Sequence, residues 1–80
     1  MPEVTYRRLG QVLESLGFSG SVPEPGTKLY RHASGALVIL PDFPKDDVVY
    51  PHQLVGARMI LDAYGIADPP EFTSRLQKAG

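Results

Sequence analysis

Gly26-Thr27-Lys28-Leu29-Tyr30-Arg31-His32-Ala33-Ser34-Gly35-Ala36-Leu37-Val38-Ile39-Leu40 is the stretch whose reading decides the fold. Its first half alternates: Leu29 and Arg31 point to one side, and Lys28, Tyr30 and His32 to the other. Ala33-Ser34-Gly35 has turn chemistry, and the run Ala36 to Leu40 is apolar on both faces. Two extended segments joined by a glycine-containing turn make a β-hairpin. A hairpin alone is marginal in water, so the flanking segments must cover it. The face of this hairpin that stays exposed is the first place to look for function.

Moving outward, Tyr6, Leu9, Leu13 and Leu16 recur at spacings of three and four, with Val12 widening the stripe, which predicts a helix over Thr5–Leu16. Thr5 is its expected N-cap. Gly10, costly inside a helix by about 1 kcal/mol against alanine, marks a close approach to the sheet. Gly17 ends the helix in the left-handed conformation, with Phe18 folding back on the last turn. Ser19 to Pro25 reads as a loop by composition. After the hairpin, residues 41–47 are turn-rich, and Val48-Val49-Tyr50 reads as a third antiparallel strand. Pro51 opens a long helix to Tyr64, apolar enough to lie on the sheet along most of its length. Gly65-Ile66 repeats the ending of Gly17-Phe18. Asp68-Pro69-Pro70-Glu71 starts a short final helix with Asp68 as N-cap and Glu71 placed for a reciprocal contact. Phe72 and Leu76 anchor it, and a fraying tail is expected at Lys78–Gly80. Helix, three strands and two further helices predict an α+β two-layer sandwich, a three-stranded antiparallel sheet with helices on one face, in one domain over residues 1–80.

Eighty residues bury about 60% of the unfolded surface, so stability is modest. With 42% hydrophobic and 21% charged residues the chain is an ordinary globular one, not a disordered one. Cysteine is absent, which excludes disulfides and zinc–thiolate sites. There is no signal-peptide core and no apolar run near about 18 residues, so a cytoplasmic protein with no membrane association is expected. Eight basic against nine acidic residues give a net charge of −1, without the basic excess that nucleic-acid binders usually carry.

The residues with chemistry are few. His32, beside the turn, is the one candidate acid or base near neutral pH, and otherwise a solvated strand-end histidine. His52 follows Pro51 in a first helical turn and reads as a surface group. Lys28, Tyr30, Arg31 and His32 could contact RNA, with Arg7, Arg8 and Arg58 as further cations. In the competing reading Tyr30 packs under a helix and its charged neighbours snorkel at the edges. Asp42, Asp46 and Asp47 lack the spacing of a calcium loop. No metal site, phosphate loop, nucleophile elbow or dinucleotide motif is present, so no cofactor is expected.

Leu16-Gly17-Phe18, Leu29-Tyr30-Arg31-His32, Ser34-Gly35, Leu40-Pro41, Gly65-Ile66 and Glu71-Phe72 fall in one order. Together they resemble the HicA (YcfA-like) family of small toxins over Thr5 to Phe72. The resemblance implies a double-stranded-RNA-binding-domain-like α-β-β-β-α fold, messenger-RNA interferase activity and a HicB-like antitoxin as partner. That family carries Gly-Ser-His at the opening of its first strand, with the histidine catalytic. Anchoring on Gly26 sets Lys28 in that place, and anchoring on Tyr30-Arg31-His32 sets Thr27 there. A lysine, charged at neutral pH, is a poor general base beside a histidine. The expectation is therefore a diverged HicA-like protein that binds RNA or an antitoxin through the hairpin, with nuclease activity weak or lost. The alternatives are an active interferase using His32, and a protein-interaction module that keeps only the fold.

Overall fold

The computed structural model describes residues 3–77, so the expected fraying of Lys78–Gly80 lies outside the described residues. The order is α1 (Tyr6–Ser15), β1 (Ser19–Glu24), β2 (Thr27–Arg31), β3 (Leu37–Pro41), α2 (Pro51–Ala63) and α3 (Pro69–Gln77). The three strands form an antiparallel sheet in the order β1-β2-β3. The expected α+β fold with a three-stranded sheet is the observed one.

The central hairpin is β2–β3. Leu29 lies opposite Ile39 and Tyr30 opposite Val38, and the turn closes with the His32 N–H donating to the Ala36 carbonyl and the Gly35 N–H to the His32 carbonyl. One face of the hairpin, carrying Tyr30, Val38 and Leu40, is buried with Leu9 and Leu13 of α1, Leu61 of α2 and Phe72 of α3 in a single apolar cluster. Alternation puts Leu29, Arg31, Leu37 and Ile39 on the opposite face, where Ile39 is 66% exposed.

Two elements differ from the sequence expectation. Ser19–Glu24, expected as a loop, is strand β1, paired with β2 through Ser19–Arg31, Gly20–Tyr30 and Ser21–Leu29. All six of its residues are exposed, so it carries no hydrophobic pattern, and its strand character comes from backbone pairing alone. Pro25-Gly26 makes the connection, with Gly26 at φ +88, the residue placement of a type II turn. Val48–Tyr50, expected as a third strand, contributes one bridge, Val48 to Thr5, and the buried Val49 donates its N–H to the Val4 carbonyl at 2.8 Å. A three-residue run ending at a proline is too short to hold a sheet position, and it ties down the entry to α1 instead.

The helix ends follow the sequence closely. The Thr5 hydroxyl accepts from the Arg8 N–H at 3.2 Å. The N–H groups of Phe18 and Gly17 donate to the carbonyls of Leu13 and Glu14, and those of Ile66 and Gly65 to Leu61 and Asp62. The same Schellman ending is thus used twice. Asp68 caps α3 through the Glu71 N–H at 2.9 Å, while the Glu71 carboxylate turns to Arg75, one helical turn on, and makes no return contact to the cap. α2 packs on β3 and α3 through a narrow stripe: Ala57 and Leu61 are buried, whereas Val55, Met59 and Tyr64 are exposed. The expectation that it lies on the sheet along most of its length is corrected accordingly. Among the described residues no helix is long and apolar enough to cross a membrane.

Candidate functional site

A cleft of about 260 Å³ opens between α1 and the Gly26 end of the β2–β3 hairpin, roofed by the loop that follows β3. Two glycines make room for the Tyr30 ring beside it. At Gly10 of α1 an added Cβ would lie 2.5 Å from the Tyr30 hydroxyl oxygen. At Gly20 of β1 it would lie 3.0 Å from Tyr30 Cε1 and 3.1 Å from Lys28 Cε. The tyrosine ring therefore slides beneath the helix, 7% exposed, while its hydroxyl reaches the cleft. That hydroxyl has no hydrogen-bond partner among the described residues. Burial, and after it the charges of Glu14 and Asp42, push its pKa above the ordinary tyrosine value of 10.0, so it remains a neutral donor.

Arg7, Lys28 and Lys45 line the same cleft as Tyr30. The Lys28 ammonium lies 5.6 Å from the centre of the Tyr30 ring, within cation–π range. Arg7 is paired with Asp46 at 3.1 Å, both side chains well exposed, so the pair is weak and easily exchanged. Lys28 and Lys45 form no ion pair among the described residues. Glu14 and Asp42 lie at the same walls and keep the charge from being uniformly positive. The cleft is lined by a neutral hydroxyl donor, three cations and two carboxylates, and by no histidine.

His32 is elsewhere. Its Nδ1 accepts from the Ser34 N–H at 3.0 Å, which leaves Nε2–H to donate to the Leu16 carbonyl at 3.1 Å. The ring also packs on Phe18, centroids 4.9 Å apart. Nε2 is thus occupied in closing the end of α1 and Nδ1 in holding the hairpin turn, and the ring does not line the Tyr30 cleft. The four hairpin residues proposed for RNA do not form one surface: Lys28 and Tyr30 serve the cleft, Arg31 lies on the opposite sheet face, and His32 caps a helix. Sequence alternation placed Lys28 and Tyr30 together; Arg7 and Lys45 join them through the fold, without a local signal.

The remaining candidates are dispersed. Arg8 and Arg58 line a separate groove of about 520 Å³ where α1, α2 and α3 meet. That groove is larger and mostly apolar, but Glu3 and Gln77, the first and last described residues, form part of its rim, and no residue of the hairpin reaches it. His52 stacks on Tyr50 at the surface, ring centroids 5.8 Å apart. Asp46 holds Arg7, and the Asp47 carbonyl accepts from the first N–H of α1.

No family model, curated protein or solved structure matches this chain.

Proposed function

We propose that the protein is a diverged HicA-like domain that binds RNA through the Tyr30 cleft without cleaving it. The observation that carries this reading is that Arg7, Lys28 and Lys45, from three separate elements, line one cleft with Tyr30, whose ring is admitted by the missing side chains of Gly10 and Gly20. Cations that line one cleft with a neutral donor suit a phosphate oxygen flanked by a ribose, and phosphate contacts supply most of the affinity of RNA binding that is not sequence-specific. A volume of about 260 Å³ is below that of sites for drug-sized ligands.

Cleavage needs a base within hydrogen-bond reach of the attacking 2′-hydroxyl. The resemblance sets Lys28 or Thr27, according to the anchor, in the place of the histidine, and His32 has one nitrogen engaged at the end of α1 and the other in the hairpin turn. A HicB-like protein partner belongs to the same resemblance. The direct test incubates the protein with a labelled single-stranded RNA and reads binding and chain length together. The expected result is a retarded, intact RNA. Cleavage that His32→Ala abolishes, in a variant still folded by circular dichroism, would transfer the reading to an active interferase.

A further inference from the structure

The two edges of the sheet are not alike. At β1 the pairing is irregular between Ser21 and Glu24 and Pro23 interrupts the backbone donors, devices that stop another strand from adding. β3, Leu37-Val38-Ile39-Leu40-Pro41, carries no charged side chain and has only Pro41 at its end. The bonds His32 N–H to Ala36 and Asp42 N–H to Gly26 set its alternation: Ala36, Val38 and Leu40 turn their backbone groups to β2. Leu37 and Ile39 turn theirs outward, without partners among the described residues.

We infer that β3 pairs with β3 of a second copy, antiparallel, making one six-stranded sheet. The chain supplies the complement itself. With Leu37 of one copy opposite Ile39 of the other, each outward N–H meets an outward carbonyl on both strands, and the side chains that meet are apolar and already exposed, Leu37 at 42% and Ile39 at 66%. A two-fold axis normal to the sheet keeps both helical layers on one side, so neither core is disturbed. A net charge of −1 per chain gives the copies little to repel them. An extended segment of another protein could use the same edge. Self-pairing is favoured because both the hydrogen-bond pattern and the facing side chains are self-complementary. The contact is short and is therefore a weak, concentration-dependent dimer.

The experiment follows sedimentation equilibrium and amide hydrogen exchange of the full chain from about 1 μM to about 1 mM, the range that spans weak association. The expected result is a shift from monomer to dimer, with exchange at Leu37 and Ile39 slowing at least about tenfold as dimer forms. Ile39→Lys, at an exposed position, should stay monomeric with an unchanged fold. A chain that is monomeric throughout overturns the inference, and so does a dimer whose Leu37 and Ile39 amides exchange at the same rate at every concentration. Neither outcome bears on the Tyr30 cleft, which lies on the helical side of the sheet.

Discussion

Gly10 sits in the middle of α1 because the Tyr30 hydroxyl occupies the space that a methyl group would need. Helix propensity alone would make Gly10→Ala stabilising by about 1 kcal/mol. Here the added Cβ would stand 2.5 Å from a hydroxyl at the end of a rigid, buried ring, and the substitution is expected to destabilise. Removing the hydroxyl with Tyr30→Phe leaves the ring carbon Cζ at 3.5 Å, an ordinary contact, so the double variant should recover the loss. Urea unfolding of the four proteins gives the coupling, and additive effects would contradict this account of Gly10. The same hydroxyl has a pH signature. Its pKa is raised in the fold, chiefly by burial, so the unfolded chain ionises first. Its contribution is complete below the ordinary tyrosine value and is lost as pH rises through the folded value. Stability should therefore fall between pH 8 and about 11, and fall less in Tyr30→Phe. Tyr6, raised mainly by burial and opposed by its bond to Gln53, keeps part of the slope in that variant.

At the scale of elements, what was legible in the sequence was whatever leaves a side-chain signature. Thr5, Gly17, Gly65 and Asp68 announce helix ends through chemistry that the structure repeats atom for atom. The β2–β3 hairpin is equally plain, because one of its faces must be buried. β1 was not legible by periodicity, since all of its residues are exposed, and the only local cue is the Pro25-Gly26 turn. Val48–Tyr50 misleads for the opposite reason: β propensity is high there, but nothing in it specifies a partner. The turn glycine gives a clean test. Gly26 has a φ of +88 and open space around it, so Gly26→Ala should cost about 1–2 kcal/mol through backbone strain alone. Gly56, also with open space but inside α2, should gain up to about 1 kcal/mol on the same substitution. Equal effects at the two sites in thermal or urea unfolding would contradict the turn assignment.

Across the whole molecule, the fold separates two surfaces that the sequence presents as one hairpin. The helical side holds the Tyr30 cleft, with Lys28 from β2, Arg7 from α1 and Lys45 from the loop after β3. The open side carries Arg31 with Leu29, Leu37 and Ile39. A near-neutral chain can still bind RNA if its cations share one cleft, and a cleft lined from three elements is a property of the fold that no window of sequence displays. The commitment of His32 to the end of α1 depends on Leu16 and Phe18, distant in sequence and adjacent in space. The most direct test of RNA binding at the cleft is the salt dependence of affinity for a single-stranded RNA, measured for the wild-type protein, Lys28→Ala and Arg31→Ala. The account predicts that log K falls with log salt with a slope of about −2 for three phosphate-facing cations. Lys28→Ala should reduce that slope by about 0.7, and Arg31→Ala should leave it unchanged. Binding that ignores salt and Lys28→Ala, or that is lost on Arg31→Ala alone, would contradict it.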